Sequence, residues 1–245
     1  MIPGGPILVI DTATTHAVVA LGSPDGGLIA ERSWAAGYRH GEELLARTAD
    51  LLAAHAVSPT GLGGIVVGTG PGAFTGLRVG IATAKGLAYA LGLPIVGVAT
   101  AQALRAAAAA DEPAAGSGGP VRFVVVQPAG PSDLVVSGPD SAPAILPGGT
   151  QPELREGDVL VAVDLAGRVS DDAVERGEHA RIGLGAALLQ AGAERLRQGA
   201  PDDLARLVPE YVTLPRGVTA VAADTGVSVT DDGAAGPAGS GMARR

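Results

Sequence analysis

Apolar residues open the chain in short bursts separated by turn-forming residues. Residues 7–11 and 17–21 are continuous apolar runs of strand length, and 28–34 is a third, more mixed one. Ser23-Pro24-Asp25-Gly26-Gly27 lies between the second and third. Asp-Gly between two apolar stretches predicts a hairpin, because the turn needs positive φ and glycine supplies it without a Cβ clash. The period then changes. Leu44, Leu45, Thr48, Leu51, Leu52 and His55 recur at helical spacing, which predicts a helix over 40–56 with Glu42 and Glu43 at its positive end. A strand at 65–67 leads through the glycine-rich residues 68–72 into a second helix over 73–91, closed by Gly92 and Pro94. A strand at 95–98 and a helix at 101–110 follow. The first half thus reads strand, strand, strand, helix, strand, helix, strand, helix.

Residues 111–120 are small and glycine-rich, which predicts a domain boundary. Beyond it, 121–126, 134–136 and 159–163 read as strands, and 183–198, with Leu184, Leu188, Leu189 and Leu196, as a helix. This half looks like a shortened version of the first. From Arg216 onward glycine, alanine and aspartate dominate without apolar periodicity, so a disordered tail is expected over 216–245.

Composition narrows the chemistry. One Trp, three Tyr and two Phe among 245 residues leave Val, Leu, Ile and Ala to build the core. With no cysteine, disulfides, thiolate zinc sites and thiol nucleophiles are excluded. The net charge is −8 and the arginines are scattered, which disfavours independent binding of nucleic acid. Met1 to Pro6 has neither a basic region nor a long apolar stretch, and no run reaches the roughly 18 to 20 apolar residues of a membrane span. A cytoplasmic protein without a signal peptide or membrane contact is expected.

The densest motif is Gly68-Thr69-Gly70-Pro71-Gly72-Ala73-Phe74-Thr75-Gly76-Leu77-Arg78-Val79-Gly80. A strand entering a glycine-rich turn at a helix start can present free N–H groups to a phosphate. The loose G-x-G-x-x-A match lacks the acidic ribose ligand about 20 residues on, since residues 94–101 contain no Asp or Glu. Gly76-Leu77-Arg78 is also not the Gly-Lys-Ser/Thr of a Walker A loop. A tight strand-to-helix turn is the plainer reading. Gly76, Gly80, Ala84 and Ala88 sit four apart and form a stripe of minimal side chains, suited to close packing against the chain's own sheet or against a partner helix. Asp11-Thr12-Ala13-Thr14 follows the first strand, where turn chemistry and a magnesium–phosphate site both use an Asp. His16, His40, His55 and His179 show no metal-ligand spacing, and no G-x-S-x-G elbow occurs.

Residues 7–13 (Ile-Leu-Val-Ile-Asp-Thr-Ala), Arg39-His40 and 68–85 together resemble the TsaB family, also called YeaZ, and the match continues from Pro94 to Leu104. The similarity covers about the first 105 residues. The resemblance implies an α/β, actin-like (ASKHA, RNase H-like) fold in two lobes, with an N-terminal lobe over 1–110 and a smaller, degenerate C-terminal lobe over 121–215. It implies a non-catalytic scaffold that activates TsaD by heterodimerising with it through the first two helices. TsaD transfers a threonylcarbamoyl group to adenosine 37 of tRNAs reading codons that begin with A. TsaE, the product of TsaC and a second copy of the chain are the other implied partners, and tRNA is reached only through the complex. No cofactor of its own is implied; ATP and a metal belong to partner subunits.

On this reading Leu44, Leu45, Leu52, Gly76, Gly80 and Ala84 shape the partner contact, with Phe74, Arg78 and Lys85 adding local specificity. Asp11, Thr12, Gly70 and Gly72 are vestiges of nucleotide loops. The chain departs from the family at Gln127-Pro128-Ala129-Gly130, where an Asp-Ala-Arg-Arg stretch is common, while Pro209-Glu210-Tyr211 corresponds to the family's Pro-x-Tyr element. The metal-binding His pair of TsaD-like paralogues has no counterpart here. The alternatives are an actin-fold small-molecule kinase using Asp11 and the 68–72 turn, and an interaction module unrelated to tRNA.

Overall fold

A computed structural model describes residues 4–36, 40–111 and 121–212; the expected boundary over 112–120 and the tail over 216–245 lie outside them. The first lobe contains β1 (Ile7–Asp11), β2 (His16–Gly22), β3 (Leu28–Ala35), α1 (His40–Ala54), β4 (Gly64–Gly68), α2 (Phe74–Leu91), β5 (Ile95–Val98) and α3 (Thr100–Asp111). The second contains β6 (Arg122–Pro128), β7 (Leu134–Ser137), β8 (Ala144–Leu146), β9 (Asp158–Ala162), α4 (Asp171–Ile182) and α5 (Leu184–Arg197).

The first sheet has the order β3-β2-β1-β4-β5 and the second β8-β7-β6-β9. In each, the first strand pairs antiparallel with the second and parallel with the fourth. The second sheet therefore repeats the first four positions of the first, the duplicated arrangement of an actin-like, RNase H-like fold. The repeat is incomplete. Among the described residues the second lobe has no fifth strand and no helix between β8 and β9.

Strand alternation sorts the core into layers, because successive side chains point to opposite faces. Leu8, Ile10, Val19, Ile65 and Val67 face one cluster with Leu44, Leu51 and Ile81 of α1 and α2. Ile7, Val9, Val18 and Val66 face the other way, into the central cluster. That cluster is shared between lobes. Leu188, Leu189 and Leu196 of α5 meet the first sheet there, and Ala103, Leu104 and Ala107 of α3 meet Phe123 and Val125 of β6. Each lobe's last helix thus covers the other lobe's sheet.

Two elements differ from the sequence expectation. Strand β8 is three residues long between Pro143 and Pro147, too short for a periodic signal. Helix α4 buries only Ala173, Gly177 and Ala180. Those side chains are too small to register as an apolar stripe, yet a Cβ on Gly177 would fall nearer than 3.0 Å to the Ala162 carbonyl, so α4 lies directly on β9.

Candidate functional site

Because β1 and β4 are parallel neighbours, Ile10 aligns with Val67, and Asp11 and Gly68 emerge side by side at their carboxyl ends. Ligands of open α/β sheets bind at such ends. Here the space is taken by the chain itself. Asp11 is fully buried; its Oδ1 accepts the Ala13 N–H at 2.9 Å and its Oδ2 the Thr100 hydroxyl at 2.7 Å. Burial pushes the Asp11 carboxyl up to about 6, against the opposing pull of those two hydrogen bonds.

The glycines of the 68–80 motif fit around this turn. A Cβ at Gly68 would lie nearer than 3.0 Å to Asp11 Oδ2, at Gly72 to the Ala13 carbonyl, and at Gly80 to Thr12 Oγ1. The Thr12 hydroxyl donates to the Gly76 carbonyl at 2.7 Å, the Ala73 N–H to the Ala13 carbonyl at 2.8 Å, and the Gly70 N–H to Thr100 Oγ1 at 3.1 Å. Gly70 has φ of +103°, in the region that favours glycine. The Asp-Thr-Ala turn and the glycine motif are therefore two halves of one interlocked joint. The N–H groups of Gly70 and Ala73, which a phosphate cradle would offer, are spent inside it. Among the described residues no group of three or more His, Asp or Glu could hold a metal ion.

Helix α2 leaves this joint with its small stripe turned inward. Gly76, Gly80, Ala84 and Ala88 are buried, as are Leu44 and Leu52 in the cluster beneath α1. Gly76, Gly80, Ala84, Leu44 and Leu52 accordingly set how α1 and α2 lie on the sheet and offer no surface of their own; the stripe takes the own-sheet option. Leu45 is 53% exposed and Phe74 38% exposed. The outward faces of the two neighbouring helices carry Leu45, Ala49 and Ala53 on α1 and Ala82, Gly86 and Tyr89 on α2, with Tyr89 81% exposed. Exposed Arg78, one turn before Ala82, and exposed Asp50, beside Ala49 and Ala53, border these small and apolar positions.

Arg78 and Lys85 have a different use from the one expected. The segment after α5 runs back along the first lobe, and both side chains hold it. Lys85 Nζ donates to the Leu207 carbonyl at 3.0 Å. Arg78 Nε donates to the Tyr211 hydroxyl at 2.9 Å, and its guanidinium stacks 3.9 Å from the Phe74 ring centroid. Phe74 and Tyr211 stand 5.3 Å apart, centroid to centroid. The Glu210 N–H donates to the Thr69 carbonyl, and the Gly97 N–H to Asp202 Oδ2. Residues 202–211 are thus a strap tied to the glycine motif.

A second tie joins the lobes directly. Asp164, just after β9, accepts the Thr15 N–H at 2.7 Å and the Thr15 hydroxyl at 2.5 Å. It does so from φ of +59°, an unfavourable conformation for a residue with a Cβ. Neither Asp164 nor Thr100 stands out in the sequence, since their roles depend on residues 149 and 89 positions away.

Comparison with known proteins bears on the family and the fold. Residues 18–137 match the family model described as "TsaD: tRNA N6-adenosine threonylcarbamoyltransferase". The tRNA threonylcarbamoyladenosine biosynthesis protein TsaB of Escherichia coli is 40% identical over 94 residues, 38% of this chain and 40% of that protein. Its Bacillus subtilis namesake is 36% identical over 100 residues, 41% of this chain and 43% of that protein. The chain thus spans less than half the length of the curated relatives it matches. The solved structure of YeaZ from Pseudomonas aeruginosa superposes with a TM-score of 0.64 at 22% identity, covering 84% of this chain and 99% of that one, a likeness of fold.

Proposed function

We propose that this chain, which belongs to the TsaB (YeaZ) family, is the non-catalytic subunit that docks on TsaD in the formation of threonylcarbamoyladenosine at position 37 of tRNA. The observation that carries this reading is the row of small and apolar exposed positions along α1 and α2, Leu45 and Tyr89 foremost among them. Exposed apolar surface of this kind marks protein contacts more often than chemistry. The match of 18–137 to a TsaD model supports a pairing of like with like, in which two related lobes meet across helices of the same kind. The interlocked joint at Asp11 favours the scaffold over the kinase alternative, because the carboxylate a magnesium nucleotide would need has both oxygens engaged and no exposure. ATP and metal chemistry then rest with the partner subunits.

The test is threonylcarbamoyladenosine formation by TsaD, TsaE, the TsaC product and ATP, with the wild-type chain or with Ala82→Glu and Tyr89→Glu variants. These substitutions sit on exposed positions, so the subunit keeps its fold while co-purification with TsaD and tRNA modification fall at least ~10-fold, as like-charge or buried-charge placement in an interface does. Unchanged modification by both variants would overturn the docking face. Modification that proceeds equally well without the chain would overturn the function.

A further inference from the structure

Where α3 begins, the lobes and the strap enclose a second, smaller site. A cavity of about 170 Å³ is lined by Gln102 and Arg105 of α3, Ser137 at the end of β7, Ser141 in the following turn, and Glu210 of the strap. Three features set it apart from an accidental gap. Ser137 is 1% exposed and its hydroxyl has no hydrogen-bond partner, a cost that buried polar groups rarely carry. The half-buried Arg105 guanidinium makes one long hydrogen bond, 3.3 Å from Nη1 to the Ser137 carbonyl. The Glu210 carboxylate is half-buried beside it; each feels the other's charge, yet no ion pair closes between them. A cation and an anion are thus held apart across a small polar space, both partly stripped of water.

From this geometry we infer that the cavity is a binding site for a small α-amino acid zwitterion, its carboxylate on Arg105 and its ammonium group on Glu210. A lone anion would meet Glu210, and a lone cation would meet Arg105; only a ligand carrying both charges satisfies both walls. The start of α3 adds the positive end of a helix to the carboxylate side. Arginine donates paired N–H groups to a carboxylate in a planar, bidentate geometry. The volume decides the size class. It falls below the roughly 300 Å³ at which pockets for drug-sized molecules begin, which excludes a nucleotide and fits an amino acid with a short side chain. The site lies away from the α1–α2 face and stands or falls independently of it.

The experiment is calorimetric titration of the full chain with glycine, L-alanine, L-serine and L-threonine, and with acetate and methylamine as the two half-ligands. At least one amino acid should saturate the site and bind ~10-fold or more tightly than either half-ligand. Arg105→Gln and Glu210→Gln should each weaken it at least ~10-fold, and Gln102→Trp, made at an exposed position at the cavity mouth, should block it without touching the core. Absence of saturation for all four amino acids up to about 50 mM would overturn the site. So would acetate binding as well as the amino acids, or binding that survives all three substitutions in folded protein.

Discussion

Asp11 is where one residue carries the most physical consequence. Its carboxyl is raised from the ordinary value of 3.8 to about 6, so the folded protein holds a proton between those values that the unfolded chain releases. Stability from this group is therefore largest below about pH 4 and declines as pH rises through 6, by up to about 3 kcal/mol for the shift of about two pH units. Glu31, which burial pushes up to about 7, acts in the same direction over a slightly higher window. Asp11→Asn removes the charge and keeps an acceptor for the Ala13 N–H, while toward Thr100 the amide nitrogen donates where the carboxylate accepted. It should raise stability at pH 8 and remove its share of the decline, seen as the difference between wild-type and variant denaturation curves from pH 4 to 8. Identical pH profiles would mean the Asp11 carboxyl has the same pKa in the folded and unfolded states. Gly80 is the matching case on the helix. Gly80→Ala puts a methyl into Thr12 Oγ1 and should cost about 1–3 kcal/mol, partly restored when Thr12→Ala removes that oxygen. A larger side chain such as leucine would unsettle the subunit itself and not merely its docking.

Among the elements, α2 and the strap explain how far the sequence could be read. Strands β1, β4 and β5 were legible as short continuous apolar runs between turn residues, helices α1, α2 and α5 because large apolar residues recur near a period of 3.6, and α3 as an alanine-rich run after β5. The stripe at Gly76, Gly80, Ala84 and Ala88 was legible as a stripe, but its direction was not, since small residues suit any close neighbour. Helix α4 uses the same device with Ala173, Gly177 and Ala180 and escaped notice because Asp171, Asp172, Glu175 and Glu178 dominate its composition. The strap was visible only as the Pro209-Glu210-Tyr211 resemblance; nothing local ties Tyr211 to Arg78, 133 residues away. Arg78→Ala removes a stacked guanidinium and the Tyr211 hydrogen bond together, at partly exposed positions. We expect about 1–2 kcal/mol of lost stability and faster proteolytic cleavage near residue 211, with α2 unaffected. Cleavage at the wild-type rate would show that Lys85 and Asp202 hold the strap unaided.

The whole chain joins its lobes through helices α3 and α5, which cross over, and through the Thr15–Asp164 tie. α5 fits against the first sheet so closely that a Cβ on Gly22 or Gly192 would collide with Leu189 or Val66. The two lobes were legible as two runs of strands; their shared core was not, because which sheet a terminal helix covers leaves no trace in its own periodicity. This crossing makes the halves obligate mates. A fragment ending at Asp111 would carry α3 with no sheet to cover and a first sheet bare of α5, and a fragment starting at Val121 would have the converse defect. Each expressed alone should aggregate. Expressed together from two genes, they should reassemble into a soluble pair, since every buried contact between the sheets and helices is available in trans. The chain can then be cut and rejoined as a split reporter whose signal appears only when both pieces share a compartment.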